Sequence, residues 1–368
     1  MTKAGKIDIN AMKKFVNKKV GLDIAHDLNE DNPTEVKQWI PTGSRWLDSI
    51  ICRGKMAGLP VGKITELAGL SSAGKSYMAC QIAAQAQKLG HCVVYFDAES
   101  AIDPLFLENS GIDINNDFLY IQAVSVEKTL ETIEDLMGQY PETQFLFIWD
   151  SIAATSSEKD LEGDFNPQSS MAVKPRIFAK AFPKLTIPLA NQQCTLLLIN
   201  QLKTNITSNV AEAMTTPYVA PGGKAIEYFC SLRIWLTKRK AKASYVTDPT
   251  GLRIGSEVKV KVEKSRFGSE GRTCGFKILW GRDVGIQDEE SWLEALRASG
   301  SDRFKPGAWN KIYDRDGKEF KFQRSQWIKK LQDKEFRSVV FDIMDEEIIR
   351  KFESEGKNFG LEGESEEA

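Results

Sequence analysis

The sequence predicts an α/β protein whose main domain contains a central, largely parallel β-sheet. Apolar runs of strand length alternate with helical periods along the chain: strands at 64–68, 92–96, 145–149 and 195–200, helices at 76–89 and 126–137. This alternation is typical of βαβ units, whose strands run parallel. The length of 368 residues allows one large domain with one or two small ones.

Composition excludes several classes of protein. Apolar residues make up 42% and charged residues 27%, so the chain can form an ordinary folded core. Lysine and arginine number 49 against 51 acidic residues, a net charge of −2 that excludes a histone-like basic surface. A local basic stripe could still bind nucleic acid. Six scattered cysteines without a C-x-x-C pair, and only two histidines, exclude a zinc finger and indicate reduced cysteines.

The chain shows no sign of export or of membrane insertion. The first residues are not followed by the apolar segment of a secretory signal, and no apolar run approaches the ~18 residues of a membrane span. We therefore expect a cytoplasmic protein without a membrane partner.

Changes of pattern divide the chain into four parts. Residues 1–40 combine an amphipathic helix at 7–20 with a polar linker, as in a detached arm. Residues 41–285 form the α/β core, whose last strands (232–236, 257–262 and 273–279) predict an antiparallel extension of the sheet. Residues 286–352 predict a small α-rich domain with helices at 289–297, 325–331 and 336–352. Residues 353–368 form an acidic tail, which either competes with DNA for basic grooves or serves solubility alone.

One segment predicts a triphosphate site. It matches G-x-x-x-x-G-K-[ST], follows the strand at 64–68 and opens a helix; its residues are Gly69, Leu70, Ser71, Ser72, Ala73, Gly74, Lys75 and Ser76. Backbone N–H groups of such a loop, together with the helix N-terminus, bind phosphate oxygens. Lys75 would contact the β- and γ-phosphates, and Ser76 would bind Mg²⁺.

Acidic residues at two further strand ends complete the predicted site. Asp150 ends the strand at 145–149 and suits a second Mg²⁺ ligand, although a strand-end aspartate can also cap a turn. Hydrolysis needs a group that orients the attacking water, and both Asp97 and Glu99 follow the strand at 92–96. Position alone leaves these two carboxylates as alternatives, because either could instead cap the loop.

Further short motifs accompany the phosphate loop along the chain: Pro41-Thr42-Gly43-Ser44, Phe96-Asp97-Ala98-Glu99-Ser100, Asp150-Ser151-Ile152-Ala153-Ala154, Leu198-Ile199-Asn200-Gln201, Gly222-Gly223-Lys224 and Ile278-Leu279-Trp280-Gly281. In these motifs and in the phosphate loop, the chain resembles the RecA family of recombinases over residues 41–285. Segment 262–266 resembles the phage, UvsX-type branch, whereas the phosphate loop is closer to the bacterial form. The resemblance implies a RecA-like P-loop ATPase fold.

The resemblance also implies roles in the nucleotide site. Glu99 matches the catalytic glutamate, and Gln201 matches the γ-phosphate sensor. Three residues match positions that contact the base: Asp103, Phe106 and Trp280. Packing in the core is the alternative for the two aromatic rings. Lys264 and Arg266 match cations that reach the ATP of a neighbouring subunit, although without the resemblance strand 258–262 reads as a solvated lysine face.

The resemblance implies two DNA-binding loops. Residues 155–170 and 203–221 lack periodicity, and long irregular loops in compact domains are usually functional or disordered. The residues implied in DNA binding are Arg176, Lys203, Ile206, Gly222, Gly223 and Lys224. Ile206 would wedge between bases. Ala179 and Pro183 depart from the bacterial pattern, so no DNA contact is assigned to them, and surface lysine is the alternative for Lys203 and Lys224.

Together these features predict a DNA-dependent ATPase with ATP and Mg²⁺ as cofactors. The family implies a helical filament on single-stranded DNA, pairing with double-stranded DNA, strand exchange in recombination and repair, and single-strand-binding or mediator proteins as partners. A phage origin would place it in the host cytoplasm. The alternatives are a non-catalytic mediator or regulatory protein on the same scaffold, and a ring helicase.

Overall fold

The computed structural model describes residues 8–21, 25–28, 32, 35–52, 57–100, 102–162, 172–207, 209, 215–238, 244–280 and 285–349. The predicted acidic tail, Ile7 of the arm, and residues 239–243 of a basic segment that follows Lys238 lie outside these ranges. Among the described residues, no helix combines the length and the apolar character needed to cross a membrane.

The strands are numbered here in chain order: β1 (Trp39–Ile40), β2 (Leu59–Pro60), β3 (Ile64–Gly69), β4 (Cys92–Asp97), β5 (Phe118–Gln122), β6 (Phe145–Asp150), β7 (Thr195–Gln201), β8 (Lys203–Thr204), β9 (Tyr218–Val219), β10 (Leu232–Thr237), β11 (Tyr245–Thr247), β12 (Arg253–Ser265), β13 (Thr273–Leu279), β14 (Ile286–Gln287), β15 (Phe304–Lys305), β16 (Asn310–Tyr313) and β17 (Glu319–Phe322). The seven strands predicted in the core are all present. Strand β5 was not predicted, because its side chains are mostly exposed and it lacks a buried apolar run.

The helices are α1 (Ile9–Val20), α2 (Arg45–Ile51), α3 (Lys75–Lys88), α4 (Pro104–Asn109), α5 (Val126–Gln139), α6 (Glu158–Glu162), α7 (Val173–Gln192), α8 (Lys224–Phe229), α9 (Glu289–Ser299), α10 (Trp327–Lys330) and α11 (Lys334–Ile343). A short 3₁₀ turn (Arg324–Gln326) precedes α10, and a π-helical segment (Met344–Ile349) follows α11. Helix α7 was not predicted, since it contains Pro183 and Pro188, which disfavour a helix interior.

The central sheet has ten described strands, in the order β14-β13-β12-β10-β3-β7-β6-β4-β5, with β11 paired to β12. Strands β10, β3, β7, β6, β4 and β5 run parallel, while β11, β12, β13 and β14 add antiparallel pairs. This confirms the mostly parallel sheet and its antiparallel extension. The carboxyl ends of β3, β7, β6 and β4 therefore lie at one edge, which is where open parallel sheets bind ligands.

Two apolar cores cover the faces of this sheet. On one face, Leu67 and Leu197 pack against α3 residues such as Met78. On the other face, Ile64 and Leu198 pack in a cluster that includes residues of α5, α7 and α8. Because successive strand residues point to opposite faces, near-continuous apolar runs such as β6 and β7 bury side chains on both.

The C-terminal segment has its own small core, in which α9, α10 and α11 pack against a three-stranded antiparallel sheet, β15-β16-β17. The sequence predicted the helices, but it did not predict these strands. The strands are two to four residues long and carry many charged side chains, so they produce no clear apolar alternation.

Buried carboxylates join this segment to the core. The side chain of Asp288, before α9, accepts hydrogen bonds from Ser44 Oγ (2.7 Å) and from the backbone N–H of Trp46 (2.8 Å). Nearby, Asp48 Oδ1 accepts from Thr42 Oγ1 at 2.6 Å. Burial raises the pKa of Asp48 to about 7, and the charge of Asp288 acts in the same direction, against the Thr42 hydrogen bonds and Arg45.

This raised pKa predicts a pH-dependent stability. The folded state binds the Asp48 proton more tightly than the unfolded state, so proton binding at Asp48 stabilises the fold. This stabilisation is complete at pH values below about 4 and is lost as the pH rises to about 7. Asp48→Asn keeps an oxygen acceptor for Thr42 and stays neutral. We expect the difference in unfolding temperature, variant minus wild type, to be at least about 2 °C larger at pH 8 than at pH 5. Equal pH dependence in both proteins would contradict the assignment.

Candidate functional site

The phosphate loop connects β3 to α3 in a conformation that depends on its glycines. A Cβ on Gly69 would lie 2.8 Å from the carbonyl oxygen of Leu236, so only glycine allows the close approach of β10. Gly74 has φ +88°, and a Cβ there would lie 2.3 Å from Ile278 Cδ1. Helix α3 then begins at Lys75, with its first N–H groups at the loop. The geometry is that of an anion-binding loop at a helix N-terminus.

Two cations lie against this loop. Lys75 is largely buried, and its Nζ donates a hydrogen bond to the carbonyl oxygen of Leu70 at 3.1 Å. Burial lowers the pKa of Lys75, against the opposing charges of Asp150 and Glu99. The second cation, Lys238 at the end of β10, donates to the carbonyl oxygen of Ser72 at 2.8 Å. The sequence did not indicate this contact.

Ser76 and Asp150 form the candidate metal site. Ser76 Oγ donates to Asp150 Oδ2 at 2.6 Å, and the Tyr95 hydroxyl donates to the same oxygen at 2.8 Å. Burial raises the pKa of Asp150, while these two hydrogen bonds lower it. The described residues contain no group of three metal-binding His, Cys, Asp or Glu side chains. One hydroxyl and one carboxylate nevertheless suit Mg²⁺, which keeps waters and phosphate oxygens as its other ligands. Tyr95 was not recognised in the sequence.

The structure distinguishes the roles of Asp97 and Glu99. Asp97 is buried and holds the following loop, since its carboxylate accepts from the backbone N–H of Glu99 (2.9 Å) and Ile102 (3.3 Å) and from the Tyr120 hydroxyl (3.2 Å). These contacts fit the capping role for Asp97. The carboxylate of Glu99 has no part in this capping and is exposed beside the carboxyl ends of the neighbouring strands.

Glu99 contacts the ends of two other strands. Its Oε1 accepts from Ser151 Oγ and from Gln201 Nε2, both at 3.3 Å. Gln201 ends β7 opposite Gly69 of β3, and Asp150 of β6 lies opposite Asp97 of β4. The predicted residues of the hydrolytic site are thus brought together at one edge of the sheet.

A small cavity of about 190 Å³ opens beside these groups and is lined by Ser76, Asp97, Glu99, Asp103, Phe106 and Asp150, together with Ile102. Asp103 also caps α4 by accepting from the Phe106 N–H at 2.9 Å. The Phe106 ring lies edge-on to Tyr77, with ring centroids 6.2 Å apart. Asp103 and Phe106 therefore each make a contact within the fold and also line the cavity.

Trp280 lies apart from this cavity and is 53% exposed. The Arg253 guanidinium lies 4.8 Å from the Trp280 ring centroid and 3.9 Å from that of Tyr245. Core packing therefore does not account for the ring of Trp280. The sequence did not indicate Arg253, because a single arginine at a strand start carries no motif.

Lys264 and Arg266 lie far from the phosphate loop of their own chain. Leu232 of β10 pairs with both Thr65 of β3 and Ser265 of β12, so the end of β12 lies at the amino edge of the parallel strands. Lys264 Nζ donates to the carbonyl oxygens of Glu227 and Tyr228 at the end of α8, and Arg266 Nη2 donates to Tyr228 at 2.8 Å. The phosphate loop occupies the opposite edge.

The predicted DNA contacts are on the surface near α7 and α8. Arg176, Lys203 and Lys224 are exposed, Ile206 is 97% exposed, and Gly222 and Gly223 precede α8. In the first predicted loop the structure describes α6, and 163–171 lie outside the described residues. In the second it describes the β8–β9 pair, and 208 and 210–214 lie outside.

A cavity of about 360 Å³ lies between the two loop segments, lined among others by Lys174, Lys203, Asp160 and Gly222. Lys174 Nζ donates to the carbonyl oxygen of Ala153 at 3.2 Å, and burial lowers the pKa of Lys174. The sequence did not indicate Lys174, for which the neighbouring Arg176 was the one signal. The arrangement provides basic and backbone groups that can bind a polyanion.

The fold and these strand ends define a P-loop nucleotide-binding protein with a RecA-like core. The RecA N-terminal domain family matches residues 7–286, so the chain belongs to the RecA family of recombinases.

Bacterial relatives support the same family. The chain is 32% identical over 269 residues to Protein RecA of Fusobacterium nucleatum, covering 73% of this chain and 67% of that protein. It is 33% identical over 250 residues to Protein RecA of Methylococcus capsulatus, covering 68% and 67%. Protein RecA of Thermus aquaticus is 28% identical over 350 residues, covering 95% of this chain and 97% of its own length.

Proposed function

We propose that this protein is a DNA-dependent ATPase that polymerises as a helical filament on single-stranded DNA and catalyses homologous pairing and strand exchange. The observation that carries the proposal is the convergence of four strand ends. They bring together the phosphate loop, the Ser76–Asp150 hydrogen bond and the contact of Gln201 with Glu99. A scaffold that only bound DNA would not require this arrangement of oxygen ligands and an exposed carboxylate.

The chain's own residues supply binding and orientation. Bound Mg–ATP supplies the phosphoryl group and the metal charge that favours its transfer. The loop 69–76 holds the phosphates with its N–H groups, and Ser76 and Asp150 hold Mg²⁺. Glu99 orients the attacking water and accepts its proton at the carboxylate. Gln201, a neutral amide in contact with Glu99, senses the γ-phosphate position.

The base of the nucleotide is held by residues next to this centre. Asp103 and Phe106 line the cavity that Ser76 and Glu99 share, so they contact the adenine from one side. Trp280, which lies apart from this cavity, would offer its exposed ring to the base as a further apolar surface.

DNA binds on the surface formed by α7, the second loop segment and α8. Arg176, Lys203 and Lys224 contact backbone phosphates, the amides of Gly222 and Gly223 add hydrogen bonds, and Ile206 wedges between bases. These contacts do not depend on base sequence, as strand exchange requires. Double-stranded DNA is the second substrate, and single-strand-binding and mediator proteins are further partners.

The proposed assembly rests on an exposed apolar helix face and on two cations remote from the phosphate loop of their own chain. Helix α1 exposes Ile9, Met12 and Phe15, which suits a contact with a neighbouring protomer. Lys264 and Arg266 lie opposite the phosphate loop of their own chain and would act on the neighbour's ATP. We propose a cytoplasmic protein, in the host if it is phage-encoded.

The test combines ATP turnover with electron microscopy. We expect single-stranded DNA to raise turnover and helical filaments to form on DNA with Mg–ATP. Closed rings that unwind duplex DNA would favour the ring helicase. DNA binding without turnover or filaments would favour the mediator or regulatory protein.

A further inference from the structure

A buried ion pair joins two neighbouring strands of the central sheet, and neither of its residues belongs to a motif of the candidate site. Glu66 lies in the middle of β3 with 0% of its surface exposed, and Arg233 lies directly opposite it on β10. Arg233 Nε donates to Glu66 Oε2 at 2.6 Å. Well-packed apolar residues at such positions are often equally or more stabilising, because both ions must be desolvated. The sheet core alone therefore does not explain the pair.

The second oxygen of Glu66 orients a buried amide. Asn200 Nδ2 donates to Glu66 Oε1 at 2.8 Å and to the backbone carbonyl oxygen of Pro221 at 2.7 Å. Asn200 Oδ1 accepts from the backbone N–H of Gln201 at 2.9 Å. An ionised carboxylate only accepts hydrogen bonds, so the amide nitrogen must face Glu66. The orientation of Asn200 is thus determined by its partners on three sides.

This amide joins the two ends of the second loop segment. Gln201 precedes the segment, and Pro221 lies at its end, directly before Gly222 and α8. Gln201 also contacts Glu99 through its side chain. A continuous path of hydrogen bonds and short backbone links therefore runs from Glu99 to the stem that carries Lys224. Coupling between sites is carried by such contiguous networks when both sites bias their arrangement.

We propose that Asn200, held by the buried Glu66–Arg233 pair, is a positioning residue that couples the hydrolytic site to the DNA-binding segment. The inference rests on the proposed function, which it deepens by naming how DNA controls the same site. Asn200 does not line the cavity; it acts by keeping Gln201 and the Pro221–Lys224 stem in one arrangement. Without this anchor, the stem and the sensor move independently.

The experiment uses full-length protein and two variants. Asn200→Ala removes the anchor, and the double variant Glu66→Leu/Arg233→Met removes its support while keeping an apolar core. The first readout is the rate of trypsin cleavage at Lys203 and Lys224 without nucleotide. The second is the ratio of ATP turnover with and without single-stranded DNA. We expect faster cleavage, and a DNA stimulation lowered about fivefold or more, the lower end of typical coupling.

Thr195→Val is the matched control, because Thr195 is buried in the same strand and its hydroxyl has no hydrogen-bond partner among the described residues. It should behave as wild type in both readouts. Wild-type cleavage and stimulation in Asn200→Ala, or an equal loss in Thr195→Val, would overturn the inference. A wild-type protein without DNA stimulation would instead refute the proposed function, and the cleavage rates would still test the anchor.

Discussion

Glu99→Ala is expected to remove ATP turnover while nucleotide binding is retained. The carboxylate is exposed and lines the cavity next to Ser76 and Asp150; within the described part of the chain it accepts two hydrogen bonds, both 3.3 Å long. It is therefore placed to orient water rather than to grip phosphate. The loss of a positioned general base lowers turnover by roughly 10²–10⁴-fold.

Lys75→Ala should lose both turnover and nucleotide affinity, since its ammonium is the buried cation of the phosphate loop. Steady-state turnover and binding of a fluorescent ATP analogue separate the two effects. Glu142→Ala, an exposed glutamate in the turn before β6, is the control and should match wild type. Full turnover in Glu99→Ala would contradict the role of Glu99 and would favour Asp97 as the catalytic carboxylate.

The second large effect is expected from Lys264→Ala/Arg266→Ala. Both cations lie at the amino edge of the sheet, whereas the phosphate loop lies at the carboxyl edge, so they can contribute to hydrolysis only across an interface between protomers. We expect the double variant to lose turnover on DNA. Its folding should change little, because cations at a helix C-terminus contribute only about 0.3–1 kcal/mol.

Mixing this double variant with Glu99→Ala protein gives a decisive measurement. Each variant is inactive alone, but a site with intact Glu99 can face a neighbour with intact Lys264 and Arg266. In a random equimolar filament about a quarter of the interfaces combine the intact halves, so about a quarter of wild-type turnover should return. Thermal unfolding of each variant serves as the folding control. A mixture that stays inactive, although both proteins are folded and bind DNA, would contradict action across the interface.

The sequence predicted the elements that depend on local pattern. Except for β5, the strands of the parallel sheet have apolar runs, α3 and α5 have helical periods, and the phosphate loop has a motif with fixed spacing. The sequence pattern did not predict elements whose local sequence does not favour the structure that they adopt. Helix α7 contains two prolines yet packs Phe178 and Phe182 into the core, and the strands β15, β16 and β17 are too short to show alternation.

Sequence alone therefore determined the fold class, the phosphate loop and the positions of carboxylates at the strand ends, because these are properties of short segments. Only the tertiary structure decided which distant residues meet. It assigned Asp97 to the loop, brought Tyr95 to Asp150, and placed Asn200 between Glu66 and Pro221. The physical reason is strand order: β3, β7, β6 and β4 are neighbours in the sheet but not in the chain, so their side chains converge only after folding.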